Sequence, residues 1–361
     1  MTPGRTSHIT YETFHKLDVM NDKPTMNDVA ELAQVSLGTV SKVLNGNMSV
    51  RSDRRDRVLA ACDQLNYKRN AIAASLRSRQ THTVGIIIPD ILNTFYAALV
   101  EKLENLASAA GYTVIIVTTG EDPRRADQRI ELLLQRQVDG VIVIPSFNGS
   151  QSLSGIIGTE VPCVIVDRIS ADDPFPTVAT DNIDAAYQGA RYLLSLGHRH
   201  ITLAVNSPDL WNSHERILGF QQAVRESSAK ADVRIVGMTA DEARLSLTAL
   251  FRDKSRPSAL FTANNLVTLG ALRAQHECGL DIPGEMSLLA FDDFEWLRLL
   301  QPPISAIQQP IDQIAVEAWR LIFQQISGRE ISVRHVRAGA QLLIRQSTSA
   351  LHATGRRIEG L

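Results

Sequence analysis

From Thr83 onward the sequence alternates short runs of β-branched and aliphatic residues (84–89, 113–118, 140–144, 163–167, 201–205, 233–237, 259–263 and 287–291) with longer stretches of helical period. That alternation admits few folds. A short run that is apolar throughout is buried on both faces, and the stretches between are long enough for a helix to carry the chain back across a sheet. The pattern is that of parallel βαβ units with helices on both faces. Eight or more strands are many for one compact sheet at this length, so the pattern favours an α/β body of two lobes.

The segment ahead of these strands reads differently. Residues 25–33, TMNDVAELA, begin on Thr25 with Asp28 at capping-box spacing and place Val29, Leu32 and Ala33 on one helical face. Gln34-Val35 interrupts, and Ser36 restarts the helix as a second N-cap. The next helix, Leu37 to about Leu44, can bury Val40, Val43 and Leu44, which leaves Leu37, Gly38, Ser41 and Lys42 on its other side. A third, from about 52 to 66, has Val58, Leu59, Cys62 and Leu65 as its inner stripe. Three short helices around one small core, with a tight turn between the first two, make an all-α helix-turn-helix head. Small side chains at the start of the second helix let its backbone approach a DNA major groove, and a long polar one reaches base edges. Charge agrees. Residues 20–80 carry ten Lys/Arg against six Asp/Glu, whereas residues 81–361 carry 25 against 31, a basic head on an acidic body.

Other classes find little support. No run approaches the roughly 18 apolar residues of a membrane helix. The beginning, MTPGRTSHIT, has no apolar signal core, and Cys62, Cys163 and Cys278 stand far apart, so a cytoplasmic protein is expected. The HRH at 198–200 lacks a third ligand at suitable spacing, and no metal is expected. The chain has no nucleophile elbow, no G-x-G-x-x-G and no phosphate loop, so neither a cofactor nor an enzyme is expected.

TMNDVAELAQVSLGTVSKVLNG, then RVLAACDQLNY, NAIAASLRS and TVGIIIPD, closely resemble the lactose/galactose repressor family of bacterial regulators. The likeness continues in order through VDGVIVIPS, VDR, TDNIDAAYQGARYLLSLGHRHI, ERILGF, FTANNLVTLGAL and LLAFDD, to PPISAIQQP, covering roughly residues 24 to 347. It implies a helix-turn-helix DNA-binding domain at 24–69, a hinge helix and linker at 70–81, and a two-lobed, periplasmic-binding-protein-like effector and dimerisation domain at 82–347. One lobe would hold about 82–179 plus 311–338 and the other about 180–307 plus a last strand near 340–346. Residues 1–23 read as a disordered tail or a misassigned start, and 348–361 as a flexible C-terminal tail. By the same resemblance Leu37, Gly38 and Lys42 read bases, while Thr25, Ser36, Thr39 and Ser41 anchor backbone or phosphate. Asn45, Tyr67, Asn70 and Ala73 complete the DNA contacts, and Leu76 is an apolar wedge for the minor groove. Five departures stand out, the first being Lys42, where the family often has Arg or His. Gln34 holds a turn position usually given to Gly or Asn, Arg51 a usual Ser cap, Arg69 a usual Pro, and Asn265 a common Asp.

Ligands in open α/β sheets bind beyond the carboxyl ends of the strands. Asn93, Phe95 and Tyr96 follow the first strand there, Asp167 and Arg168 follow CVIV, Asn264 follows LFTA, and Asp292 follows LLAF, with Arg216 in ERILGF. Carboxylates, amides and an Arg fork among aromatic faces suit a polyhydroxylated ligand. The resemblance implies effector contacts at Phe95, Tyr96, Asp167, Arg216, Asn264 and Asp292. Trp211 reads equally as a closing aromatic or a surface one, and Arg168 as an effector contact or an inter-lobe ion pair. The expected function is a ligand-responsive transcriptional regulator, most readily a repressor. It would bind a pseudo-palindromic operator in double-stranded DNA as a homodimer under a small effector (a sugar, sugar acid or sugar phosphate). A solute-binding protein and a carbohydrate-active enzyme are the alternatives.

Overall fold

The computed structural model describes residues 24–44, 47, 49–67, 80–146, 153, 155–170, 172–331 and 335–351. Residues 1–23, Asn45, the hinge positions Asn70, Ala73 and Leu76, and 352–361 lie outside that set. The chain divides into two compact units, the first ending at Arg79 and the second beginning at Gln80.

The first unit holds α1 (Met26–Leu32), α2 (Leu37–Leu44) and α3 (Ser52–Gln64). A capping box starts α1: Asp28 N–H donates to the Thr25 hydroxyl, and Thr25 N–H donates to the Asp28 carboxylate at 2.7 Å. Ser36 starts α2 by accepting from Thr39 N–H at 3.2 Å. Between them Gln34 takes φ +52°, the left-handed turn that its position demands of a residue with a Cβ. Arg51 precedes α3 with no side-chain cap bond. The core is Val29, Ala30, Ala33, Val40, Val43, Val58 and Ala61, with Met26, Leu44, Cys62 and Leu65 packed at its edge. Leu32 and Leu59, expected inside, are 42% and 47% exposed. Helices this short bury a narrow stripe, and Ala30 and Ala61 lie in it instead.

The second unit has two six-stranded sheets. The first comprises β1 (Thr83–Ile88), β2 (Thr113–Thr118), β3 (Gly140–Val143), β4 (Cys163–Val166), β5 (Thr177–Thr180) and β11 (His335–Ala338), in the order β11-β5-β4-β3-β1-β2 and parallel throughout. The second comprises β6 (His200–Val205), β7 (Lys230–Ile235), β8 (Ala259–Thr262), β9 (Ser287–Phe291), β10 (Ser305–Gln308) and β12 (Gln341–Leu343), in the order β12-β10-β9-β8-β6-β7, with β12 alone antiparallel. The chain passes between the lobes after β5, after β10 and after β11. In the first lobe α4 (Thr94–Ala109) and α11 (Ile311–Ile326) cover one face, through Phe95, Leu99, Leu103, Ile314 and Leu321, and α5 (Pro123–Gln135) covers the other through Ile130 and Leu133. In the second, α6 (Asn182–Ser195) and α7 (Trp211–Arg225) cover one face, and α8 (Ala240–Arg252), α9 (Asn265–Cys278) and α10 (Glu295–Leu299) the other.

Four differences from the sequence reading have physical causes. Strands β5 and β10, TVAT and SAIQ, carry no apolar run, yet they are buried because their hydroxyls find partners: Thr180 Oγ1 donates to Gln309 Oε1 at 2.6 Å, and Ser305 Oγ lies 3.0 Å from Thr348 Oγ1. Strand β7 ends at Ile235 rather than 237, because it pairs with β6 from His200 opposite Lys230. Residues 348–351, read as the start of a flexible tail, are packed on the second lobe: Tyr192 Oη is 2.8 Å from Thr348 Oγ1, and Leu351 N–H donates to Leu196 O at 2.8 Å. Thr81, assigned to the linker, is likewise bonded to the body, donating from its backbone N–H to Asp139 Oδ1 at 2.8 Å.

Candidate effector cleft and DNA-reading helix

Two aspartates stand at equivalent places in the two lobes. Asp167 follows β4 of the first and Asp292 follows β9 of the second, and each holds a left-handed backbone, φ +66° and +76°. An Asp tolerates that region better than most side chains, and strained residues of this kind gather at functional sites. Both are almost fully buried. Burial pushes both carboxyls above the ordinary Asp range, and the nearby Arg216 pulls each part of the way back.

Arg216 lies on α7, 3% exposed, with its guanidinium carbon over the Phe291 ring, 3.6 Å from the centroid. Its Nε donates to Asn182 Oδ1 at 2.9 Å and one Nη donates to the Ala263 carbonyl. The other, Nη2, has no partner among the described residues. This placement depends on a close helix approach one turn later. A Cβ added at Gly219 would stand 2.0 Å from the Ile183 carbonyl oxygen, so only glycine lets α7 sit against the start of α6 and bring Arg216 to Asn182. Asn182 in turn donates to Glu215 at 3.0 Å, and Glu215 takes a bidentate pair from Arg337 of the other lobe, 2.6 and 2.8 Å.

From the first lobe, Asn93 caps α4 by accepting from Phe95 N–H at 3.0 Å, and Phe95 and Tyr96 are buried behind it with rings 5.5 Å apart. The Tyr96 hydroxyl reaches Asp167 Oδ2 at 3.5 Å, and burial raises its pKa. Arg168 is 5% exposed and pairs with Glu121 through both Nη atoms at 2.6 Å. Glu121 belongs to the same lobe, so this ion pair does not join the two. Asn264 caps α9 through Val267 N–H at 2.8 Å. Trp211 begins α7, 39% exposed with its ring at 84° to that of His214, and it is the next residue, Asn212, that crosses the cleft to donate to Asp167 Oδ2 at 3.0 Å. A cavity of about 430 Å³ opens beside Phe95, Asp292, Phe294, Gln309 and Ile311. A shallower hollow of about 640 Å³, at the edge of the second sheet by Arg298 and Leu343, touches none of these site residues.

Sequence reasoning thus named both carboxylates, the arginine and the aromatic pair. It did not single out Glu121, Asn182, Asn212, Glu215, Gln309 or Arg337. A faint signal existed for Gln309, which sits in QQP between strand and helix, and for Asn182, in TDN at a lobe crossing.

In the head, Leu37 is 41% exposed, Gly38 and Lys42 are exposed, and Thr39 and Ser41 are half-buried. A Cβ at Gly38 would meet only Ser36 Oγ, at 3.9 Å, so nothing within the fold requires glycine there. Thr25 and Ser36 spend their hydroxyls on the caps of α1 and α2. Tyr67 packs at the edge of the small core.

Comparison with known proteins gives the frame for both regions. Residues 25–70 match the family described as bacterial regulatory proteins, lacI family, and residues 190–348 match the periplasmic binding protein-like domain. The ribose operon repressor of Halalkalibacterium halodurans is 30% identical, covering 90% of this chain and 97% of its own. The transcriptional regulator DegA of Bacillus subtilis is 28% identical, covering 91% and 99%. Among solved structures, the lac repressor dimer bound to operator and the anti-inducer ONPF superposes with a TM-score of 0.82 at 24% identity, covering 91% of this chain and 99% of that one. The chain belongs to the lacI family of bacterial regulatory proteins, and is a ligand-responsive, DNA-binding transcriptional regulator and not an enzyme.

Proposed function

We propose that the protein is a repressor that binds a pseudo-palindromic operator as a homodimer in the cytoplasm, and that a small polyhydroxylated effector held between the lobes sets its affinity. Base reading falls to Leu37, Gly38 and Lys42 on α2, with Thr39 and Ser41 against the backbone. Effector binding falls to Phe95, Tyr96, Asp167, Arg216, Asn264 and Asp292. One observation carries the effector reading: Asp167 and Asp292 come from opposite lobes to flank Arg216, whose Nη2 has no partner among the described residues. Carboxylate oxygens accept from hydroxyls, and a bare guanidinium N–H donates to one, so a ligand bridging them would favour one spacing of the lobes. The relatives bear on the chemistry. One is a ribose operon repressor, and a lacI-family regulator from Enterococcus faecium was solved with bound ribose. Other relatives carry the name HTH-type transcriptional repressor PurR, which names no sugar, so bases and nucleosides are tested alongside.

The test is a gel shift of the full chain on the DNA upstream of its own coding sequence, with and without a panel of sugars, nucleosides and nucleobases. Retention on that DNA, not on a scrambled duplex, and modulation by a sugar are expected. Retention that no sugar alters while a nucleobase does would replace the effector assignment. Equal retention on both duplexes would remove the repressor reading.

A further inference from the structure

Arg168 and Glu121 set the charge of the cleft. Arg168 follows Asp167 directly and lies 5.8 Å from the Tyr96 ring centroid, inside the same buried group. Its two Nη atoms are held by Glu121 at 2.6 Å each, and one also donates to the Pro145 carbonyl at 3.1 Å. Its Nε is buried and has no partner among the described residues. Glu121 reaches this position from a loop that takes two successive left-handed residues, Gly120 at φ +63° and Glu121 at φ +60°. Such a backbone suits glycine, and for Glu it is unfavourable by about 1 kcal/mol. The chain places an acid at a strained position where it neutralises a buried arginine.

The consequence is a matter of charge. The cleft brings together two cations, Arg168 and Arg216, and three carboxylates, Glu121, Asp167 and Asp292. The charges around them are paired as well: Glu215 with Arg337, and at the cavity mouth Lys102 with Asp312 at 3.1 Å and Asp293 with Arg298 and Arg345. Each arginine already has its counter-charge from the protein. A phosphate or carboxylate entering there would face Asp167 and Asp292 with no unneutralised cation to receive it, and like charges in a buried site repel strongly. Hydroxyl groups meet no such opposition. The carboxylates accept from them, and the bare Nε of Arg168 and Nη2 of Arg216 donate to them.

We propose that Glu121 is a specificity-determining residue, which neutralises Arg168 and so restricts the effector to uncharged polyhydroxylated molecules, against sugar phosphates and sugar acids. The proposal rests on the cleft being the effector site, as argued above, and narrows the class of ligand it takes.

The experiment uses the full chain and Glu121→Gly, a substitution that suits φ +60° and so leaves the loop free to adopt its native path. Circular dichroism and a cooperative melt establish folding of the variant. Matched probes are then titrated into both proteins by calorimetry: ribose with ribose 5-phosphate, glucose with glucose 6-phosphate and with gluconate, and inorganic phosphate alone. In the parent protein the neutral member of any binding pair is expected to be preferred by about tenfold or more, about 1.4 kcal/mol. Glu121→Gly should erase that preference and gain measurable affinity for inorganic phosphate, because Arg168 is released. A preference for the charged member in the parent, or the same ratio in both proteins, would overturn the role of Glu121. If no pair binds either protein but Glu121→Gly gains phosphate binding, the charge role of Glu121 stands and the polyol reading of the cleft fails. If no pair binds and phosphate gains nothing, the specificity role itself is refuted.

Discussion

Asn265, at the start of α9 in the second lobe, donates from Nδ2 to Asn93 Oδ1 in the first, 2.8 Å away, and to Thr94 Oγ1 at 3.1 Å. The same Asn93 oxygen accepts from Phe95 N–H and caps α4. Lobe closure and the start of a buried helix therefore share one acceptor. The bond needs a donor at residue 265, because Asn93 Oδ1 can only accept.

Asn265→Asp should open this contact, although an Asp at this position is common in the family that the sequence resembles. The new carboxylate could not donate to Asn93, and it would stand beside Asp292, which accepts from the backbone N–H of residue 265 at 3.1 Å. Loss of a buried, satisfied amide bond is worth about 1–3 kcal/mol. Urea unfolding should register a loss of that order, and small-angle scattering a larger radius of gyration for the effector-free protein. Unchanged stability and radius would show the contact to be incidental.

Gly219→Ala tests how Arg216 is positioned. The added methyl would sit 2.0 Å from the Ile183 carbonyl oxygen, which is backbone and has little room to give. Helices α6 and α7 must part, and the Asn182–Arg216 bond lengthens with them. Overpacking of this kind costs about 1–3 kcal/mol. Chemical denaturation should show that loss, together with weakened binding of whichever probe the parent protein takes. Full stability with full affinity would mean that α7 can shift without disturbing the arginine.

The fold and the site were legible to different degrees, for reasons that particular residues make plain. Apolar runs such as GVIV and CVIV announce strands, because a strand buried on both faces has no polar residue to hide it. TVAT and SAIQ did not, since their burial is permitted by hydroxyl partners, Gln309 and Thr348, that are distant in sequence. The same split runs through the cleft. Asp167, Arg216 and Asp292 stand at strand ends or in a distinctive motif. Glu121 and Arg168 are 47 residues apart, and no local pattern pairs them. Asn212 was overlooked beside the more conspicuous Trp211, which lies at the surface instead.

Lys42→Ala probes the head alone. Lys42 is exposed on α2, and Val40 and Val43 beside it are buried, so truncation leaves the small core intact. If Lys42 reads a base, the variant should lose about 1–3 kcal/mol of binding at the cognate operator and much less on random DNA. Gel shifts on both duplexes at matched salt separate the roles. An equal loss on the two would reassign Lys42 to a phosphate contact.

His198 should make the second lobe acid-sensitive. Its ring is 2% exposed, with Nδ1 2.9 Å from Ser258 Oγ and Nε2 3.1 Å from both Ser287 Oγ and the Ser349 carbonyl. Among the described residues no carboxylate pairs with it, so an added proton gains no ion pair there. Burial holds the imidazole below its ordinary pKa, and the Ser349 carbonyl offsets only part of that. The sign follows from linkage. The unfolded chain, titrating near the ordinary value of about 6.5, takes up the proton at a higher pH than the folded protein does. Stability is therefore full above about pH 6.5 and is lost as the pH falls from there through the folded value, at no more than about 1.4 kcal/mol per pH unit. His198→Gln removes the titrating group while keeping one donor and one acceptor. It should be less stable than the parent at neutral pH, because the ring's packing is lost, and its melting temperature should decline more gently below pH 6.5. Thermal melts of the two proteins across that range would decide the matter, since the other titrating groups are common to both and cancel in the difference. Parallel profiles would show that His198 contributes nothing to the acid limb.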